Sequence, residues 1–195
     1  MTTPEELSVE YVRSLSPRYI FFPHWSYRVE DPILHSAECV CFHETDVPFG
    51  RGGSPLQNLI ASGHDSTVVS ALRMTKEMDS GPVYVKKPLS LYGLAEEIFI
   101  RSSNIIAAMI LEIISNEPQP VPQTGIPSIF RRRTPELSLL PPEPASLASL
   151  FDHIRMLDAE TYPRAFLPYG RVNIEFMRPA LRTDKIIADA ILTIE

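Results

Sequence analysis

Apolar residues along this chain form short runs typical of β-strands, separated by stretches with helical spacing. Residues 19–22 and 39–43 are the first two runs, and they predict short buried strands. Residues 66–74 and 83–86 predict two more strands. Strands that alternate with helices indicate parallel β-α-β crossovers, so the pattern predicts an α/β fold with a mostly parallel sheet flanked by helices.

Capping residues mark the helices in the first third of the chain. Thr3-Pro4-Glu5-Glu6 has the form of a capping box and predicts a helix that ends near Leu15. Asp31-Pro32 predicts a brief helix before the second strand. Ser54-Pro55 predicts the start of another helix, with the serine as N-cap and the proline at the first helical position.

The longest predicted helix spans residues 94–115. Its apolar stripe predicts packing against the core, and a homodimer surface is the alternative. The stripe consists of Ile98, Ile105, Met109 and Ile113.

A change of composition at residues 118–127 divides the chain. Proline, glutamine and glycine dominate there, which is typical of a linker or a wrapping arm. We therefore predict a core over residues 1–117, a proline-rich arm with an arginine-rich segment over 118–145, and a C-terminal extension over 146–195. The extension is predicted to contain one helix and an antiparallel strand pair, at residues 146–159, 171–178 and 185–194.

Charge and cysteine content narrow the function classes. The net charge of −6 argues against a broad nucleic-acid surface, which would be basic. The only basic cluster, Arg131 to Arg133, is enough for a local phosphate contact. Cys39 and Cys41 stand too close to form a useful disulfide, which indicates the cytoplasm. No signal pattern begins the chain and no apolar run is long enough to span a bilayer, so we expect no membrane partner.

Residues 41–56 contain the most informative chemistry. The second predicted strand ends at His43, Pro48 stops it, and glycines around Arg51 form a turn before the next helix. Ligands of open α/β sheets bind at the carboxyl ends of strands, which is where this order places His43. Residues 50–53 lack the lysine and the spacing of a P-loop, so we interpret them as a turn that gives access to a substrate.

Three ordered blocks of the sequence resemble the formyltransferases that use 10-formyltetrahydrofolate. In the first block, Cys41-Phe42-His43 stands in the family's Asn-x-His slot and Thr45 in a serine slot. In the second, Met74 to Gly81 matches a Met-x-x-x-x-Asp-x-Gly run and supplies Asp79. The third comprises Arg131 to Glu136, Ile154 to Leu157 and Tyr162 to Phe166. The resemblance implies a Rossmann-like, mostly parallel sheet with a small C-terminal α+β extension.

The resemblance also implies an activity and its residues. A formyl group would pass from 10-formyltetrahydrofolate, as co-substrate, to a primary amine. His43 would polarise the formyl carbonyl and donate a proton to the oxyanion. Asp79 would orient the His43 ring and accept charge. From the residues alone, the pattern favours a satisfied polar group for His43 and a turn former for Asp79. By the same resemblance Thr45 joins the catalytic pair. The folate-binding positions that the resemblance implies are Trp25, Ser26, Tyr27, Asp79, Gly81 and Val83. The acceptor-binding positions are Arg51, Gly52 and Gln57.

Cys41 departs from the family pattern. The family's asparagine supplies an amide donor, and a thiol is a poor donor. Strand alternation places Cys39, Cys41 and His43 on one face, yet Cys41 also fits the role of a small buried apolar residue. Two other functions therefore stay open: a formyl or acyl hydrolase with Cys41 or water as nucleophile, and an inactive module that binds folate or a partner. Cys-x-Cys-x-His does not match the usual zinc spacing, so we predict no metal.

Two further expectations concern the identity of the formyl acceptor and the start of the chain. The acidic charge favours a small acceptor such as an amino sugar-nucleotide, while the C-terminal blocks keep methionyl-tRNA as a candidate. The family has a β-α-β segment before the strand that residues 19–22 match, and here about eighteen residues precede that strand. We expect an incomplete start, because a missing central strand would leave buried backbone groups unpaired.

Overall fold

The structure of the protein, a computed structural model, describes residue 3, residues 6–160 and residues 162–194. The chain divides into two units. The first comprises Met1–Gly52, Val68–Leu89 and Ser102–Ile129, and the second comprises Gly53–Thr67, Ser90–Arg101 and Phe130–Glu195. The two candidate catalytic residues, His43 and Asp79, both belong to the first unit.

Helices and strands alternate through the first half of the chain, as the sequence predicts. The helices are α1 (Val9–Leu15), α2 (Asp31–Leu34), α3 (Pro55–Ala61), α4 (Ala95–Asn116) and α5 (Leu147–Arg155), with a 3-10 helix at Pro135–Ser138. The strands are β1 (Tyr19–Phe22), β2 (Glu38–His43), β3 (Arg51–Gly52), β4 (Ser66–Arg73), β5 (Val83–Ser90), β6 (Ile129–Phe130), β7 (Ala165–Tyr169), β8 (Val172–Leu181) and β9 (Ile186–Ile194).

The main sheet has the strand order β1-β2-β4-β5. β1 and β2 are parallel, as predicted, with Tyr19 opposite Glu38. β2 and β4 are antiparallel, with His43 opposite Ser70, so the predicted parallel crossover between these two strands is wrong. Since His43 at the end of β2 lies opposite Ser70 of β4, residues 44–65 bring the chain back into the sheet at the end where β2 finishes, without a crossover.

Helix α1 begins later than the sequence suggested. Its N-cap is Ser8, whose hydroxyl accepts a hydrogen bond from the Tyr11 N–H at 3.1 Å. The predicted capping box includes Pro4 and Glu5, which lie outside the described residues. With Ser8 as its N-cap, α1 begins at Val9. It ends at Leu15, as predicted, and is therefore only seven residues long.

Buried side chains hold α1 and α2 against the first two strands. On β2, Cys39 and Val40 alternate in direction and are both buried, so both faces of this strand lie in the interior. His43 therefore ends a strand that is buried on both faces. The cluster around Cys39 also contains Leu7, Val12, Phe22, Val29 and Ile33.

The long helix α4 confirms the predicted segment within one residue at each end. Ile106 is buried and Ile105 only half-buried, because Ile106 lies four residues after the buried Ser102 and three before the buried Met109. α4 is also long and apolar enough to cross a membrane by length and composition, so the expectation that no apolar run has this length is wrong. One such helix is weak evidence for a span, since core helices of soluble proteins pass the same test.

The C-terminal extension contains a three-stranded sheet with the order β7-β8-β9. The predicted antiparallel pair is confirmed by β8 and β9. β7 was not predicted, because Pro168 interrupts a short segment and Pro lacks a backbone N–H for a sheet. Ser146 caps α5 through a capping box with Ser149.

Arg155 fixes the chain around α5 in the second unit. It is buried, and its Nη1 donates to the carbonyl oxygens of Leu91 at 2.6 Å and Gly93 at 2.9 Å. Its Nε donates to Asp152 Oδ1 at 2.6 Å. The Arg155 guanidinium thus forms an ion pair with one carboxylate and donates hydrogen bonds to two carbonyls of the turn before α4.

We predict that Arg155→Met lowers the free energy of unfolding by about 2–4 kcal/mol, because it leaves two carbonyls and one carboxylate without their donor. Denaturant unfolding followed by circular dichroism measures this. Arg182→Met removes an exposed arginine of the same unit and serves as the control. Equal effects of the two substitutions would show that the buried contacts of Arg155 do not stabilise the fold.

Candidate active site

His43 is the last residue of β2 and is 6% exposed. Its Nε2 lies 2.8 Å from the carbonyl oxygen of Gly50, and a carbonyl can only accept a hydrogen bond. Nε2 therefore carries a proton. The other ring nitrogen, Nδ1, lies 3.7 Å from Asp79 Oδ2. Nδ1 is thus the ring position at which a proton can be gained or lost, and it faces a carboxylate.

The turn that carries Asp79 is held by backbone contacts. Asp79 has a φ of +51°, in the left-handed region that aspartate tolerates better than most residues. Its Oδ2 accepts a hydrogen bond from the Gly52 N–H at 2.9 Å. At Gly81, an added Cβ would lie 1.8 Å from the carbonyl oxygen of Arg73, so only glycine fits there. The turn therefore presents the Asp79 carboxylate in a fixed position.

Thr45 supports the loop that follows His43. It is fully buried, and its hydroxyl donates to the carbonyl oxygen of Gly50 at 3.3 Å. The Ser70 hydroxyl on β4 donates to the Thr45 carbonyl oxygen at 2.7 Å. The Gly50 carbonyl thus accepts from both His43 and Thr45, which ties the strand end to the glycine turn.

Cys41 lies two residues before His43 on β2. Burial, with a smaller contribution from the nearby Asp79 carboxylate, raises the pKa of its thiol to about 12. Burial likewise raises the pKa of Cys39 to about 11. Both thiols therefore stay protonated at neutral pH, and Cys41 lacks the thiolate that nucleophilic catalysis needs.

The loop after β1 packs inward through Trp25. Its ring meets those of Phe22 and Tyr27 edge-on, at centroid distances of 5.6 and 5.4 Å. The indole Nε1 is buried and has no hydrogen-bond partner among the described residues. Ser26 and Tyr27 are exposed. Trp25 thus anchors the loop against the core cluster and leaves one donor unused.

The predicted acceptor-binding residues have protein partners. Arg51 donates from Nε and Nη2 to Gln123 Oε1, at 3.1 and 2.7 Å. Gln57 belongs to the second unit, where it is buried and donates to the Met156 carbonyl oxygen at 3.2 Å. Val83, one of the predicted folate-binding positions, pairs through its backbone with Val121. The structure therefore brings His43, Asp79, Thr45, Gly52 and Arg51 into one hydrogen-bonded arrangement.

Ser54 does not act as the predicted helix cap. Its φ is +51° and its side chain makes no capping hydrogen bond to α3. Instead its hydroxyl oxygen accepts from the Arg133 N–H at 3.1 Å and lies 2.9 Å from the Tyr162 hydroxyl. Ser54 therefore ties the start of α3 to the segment 130–162, a role that needs partners distant in sequence.

Sequence reasoning missed Ser70 and Gln123. Ser70 lies in an apolar strand and Gln123 in a segment that composition marked as a linker or arm. No local pattern distinguishes either residue, since their partners are 25 or more residues away. Among the described residues, no group of three or more His, Cys, Asp or Glu side chains could hold a metal ion.

Comparison with known proteins decides the family. A family model described as methionyl-tRNA formyltransferase, C-terminal domain, matches residues 135–193. A solved structure of methionyl-tRNA formyltransferase from Clostridium thermocellum superposes with a TM-score of 0.97 at 46% identity, over 100% of this chain and 86% of that one. The chain belongs to the formyltransferase family. The predicted family and the α/β formyltransferase fold are confirmed.

More distant formyltransferase-fold proteins share less of their length with this chain. Methionyl-tRNA formyltransferase from Wolinella succinogenes is 29% identical over 137 residues, which are 66% of this chain and 44% of that protein. The chain thus spans less than half the length of this curated relative. HypX from Aquifex aeolicus, solved in complex with tetrahydrofolic acid, has a TM-score of 0.73 at 16% identity, covering 89% of this chain and 31% of that one, which shows the fold alone.

The raised pKa of Cys41 predicts slow alkylation in the folded protein. At pH 8 a thiol with a pKa of about 12 has roughly a thousandfold less thiolate than one near 9, and the thiolate is the reactive form. We expect iodoacetamide to leave both cysteines unmodified over minutes, as measured by mass spectrometry. The same protein in guanidinium chloride should react at both. Rapid alkylation of native Cys41 would contradict the assigned environment.

Proposed function

We propose that this formyltransferase-family chain transfers a formyl group from 10-formyltetrahydrofolate to a primary amine. The observation that carries the proposal is the His43–Asp79 pair at the end of β2, with Nε2 committed to the Gly50 carbonyl and Nδ1 facing the carboxylate. Family membership and the solved relative at 46% identity support it.

The pair suits the proton movements of formyl transfer. The attacking amine must lose a proton as the new C–N bond forms, and negative charge develops on the formyl oxygen. Because Nε2 is committed, Nδ1 of His43 is the atom that would take the amine proton or, when protonated, donate to the oxyanion. Asp79 Oδ2 would stabilise the resulting imidazolium. The co-substrate supplies the formyl group itself.

Two segments would hold the folate. One is the loop with Trp25, whose buried indole N–H has no partner among the described residues and could serve a polar ring atom. The exposed Ser26 and Tyr27 lie beside it. The other is the turn of Asp79 and Gly81 with the adjoining Val83. These assignments follow the family resemblance, and the unpaired indole nitrogen is the feature of this chain that supports them.

Methionyl-tRNA is the acceptor that we propose first. The relatives with substantial sequence identity are named for it, and the family model that matches residues 135–193 is named for its C-terminal domain. An amino sugar-nucleotide is the second candidate, because a chain of net charge −6 attracts a polyanionic RNA poorly. Assays with both acceptors, at two salt concentrations, distinguish them: transfer to tRNA should weaken with salt.

We predict that His43→Ala lowers kcat/KM for formyl transfer by about 10²–10⁴, because it removes the group that moves the proton. Binding of a 10-formyltetrahydrofolate analogue, followed by the fluorescence of Trp25, the only tryptophan, should persist. His35→Ala, at an exposed histidine on the turn after α2, is the control. A His43→Ala variant with the wild-type rate would refute the catalytic assignment, and a wild-type protein inactive toward both acceptors would refute the proposed function.

Cys41→Asn tests the departure from the family pattern. An amide at position 41 would add the donor that a protonated thiol supplies poorly, so we predict a rise in kcat of about tenfold or more. Cys41→Ala should match the wild type, since the neutral thiol has no chemical role. If activity is measurable and asparagine brings no gain, the oxyanion donor lies elsewhere. If neither protein transfers formyl groups, the inactive binding module is the better account.

A further inference from the structure

The side chain of Gln123 uses every hydrogen-bonding position of its amide. Nε2 donates to the carbonyl oxygens of Asp79 and Gly81, each at 2.8 Å. Oε1 accepts from Nε and Nη2 of Arg51, at 3.1 and 2.7 Å. Carbonyls only accept and a guanidinium only donates, so the orientation of the amide is fixed by its partners.

These partners belong to the two loops that build the candidate active site. Asp79 and Gly81 flank the turn that faces His43, and Arg51 lies in the glycine turn whose Gly52 N–H donates to the Asp79 carboxylate. Asp79 also has a left-handed backbone, a conformation that persists only where the surroundings hold it. Gln123 is therefore bonded to the backbone carbonyl of Asp79 itself and to that of Gly81, two residues later.

The segment that carries Gln123 is itself attached to both loops; we name residues 121–128 the strap. At one end, Val121 and Val83 exchange two backbone hydrogen bonds of 2.8 Å. At the other end, the Ser128 N–H donates to the Pro48 carbonyl oxygen at 3.1 Å. The Ser128 hydroxyl accepts from the Gly50 N–H at 2.8 Å. The strap thus fixes the position of Gln123 relative to both loops.

We propose that Gln123 is a positioning residue for the transfer reaction. It holds the Asp79 turn and the Arg51 turn at one spacing, and so keeps the Asp79 carboxylate near Nδ1 of His43. The inference rests on the proposed function. Its physical basis is that proton transfer tolerates little misplacement, and an error of about 1 Å can cost roughly 10²-fold in rate.

Gln123→Glu is the sharpest test, because it keeps the size of the side chain and an oxygen for Arg51. It replaces the NH₂ donor with an oxygen that meets two carbonyl oxygens. We expect kcat to fall by about 10- to 100-fold, because the Asp79 turn loses its two bonds to Gln123 and the carboxylate shifts relative to Nδ1 of His43. Gln119→Glu makes the same charge change at an exposed position and should behave as wild type.

Gln123→Met separates positioning from packing and provides a second variant if the glutamate disrupts folding. Methionine keeps the volume but forms none of the four hydrogen bonds. If Gln123 only fills space, the methionine variant will have the wild-type kcat, and the proposal is overturned. If Gln123 positions the turn, the methionine variant will lose activity as the glutamate variant does.

A readout independent of activity keeps this proposal distinct from the proposed function. The chain has five histidines, and ¹⁵N-labelled imidazole spectra report each ring. We expect the resonances of His43 to shift in Gln123→Glu while those of His35 and His64 stay. Unshifted His43 resonances would overturn the inference. An inactive wild type would instead refute the proposed function and leave the spectral comparison valid.

Discussion

The carbonyl oxygen of Gly50 is the acceptor on which the candidate site depends. It receives the Nε2–H of His43 and the hydroxyl of Thr45, so it joins the end of β2 to the glycine turn and fixes the tautomer of the imidazole. With Nε2 committed, only Nδ1 is available for proton transfer, and Nδ1 faces Asp79. The chemistry that the site can perform follows from this one backbone group.

The carboxylate of Asp79 lies near two groups of the candidate site. Its Oδ2 is 3.7 Å from Nδ1 of His43, and its charge adds to the burial that keeps the Cys41 thiol protonated. A hydrolase with Cys41 as nucleophile is disfavoured by this environment. Formyl transfer needs a proton carrier rather than a thiolate, so the arrangement suits transfer. The hydrogen-bond donor to the formyl oxygen is weakened, because Cys41 stands where the family has asparagine.

Local sequence signals predicted the elements that depend on local physics. β1 was predicted within its observed bounds, and α4 within one residue, because apolar periodicity and chain-breaking residues determine both. The antiparallel pairing of β2 with β4, the strand β7 and the role of Ser54 were missed or wrong. Each depends on contacts that the local sequence does not specify: the position of Ser70 opposite His43, the pairing of β7 with β8, and the approach of Arg133 and Tyr162 to Ser54.

The sequence by itself determined that His43 ends a buried strand, that a glycine turn follows it and that an Asp-Ser-Gly turn lies downstream, because each is written in consecutive residues. Only the tertiary structure decided which ring nitrogen of His43 is free, that the Cys41 thiol is neutral, and that Gln123 bonds both turns. Tautomers, pKa values and long-range hydrogen bonds depend on which groups meet in space, and partners separated by 36 residues, as His43 and Asp79 are, or by 72, as Arg51 and Gln123 are, leave no local pattern.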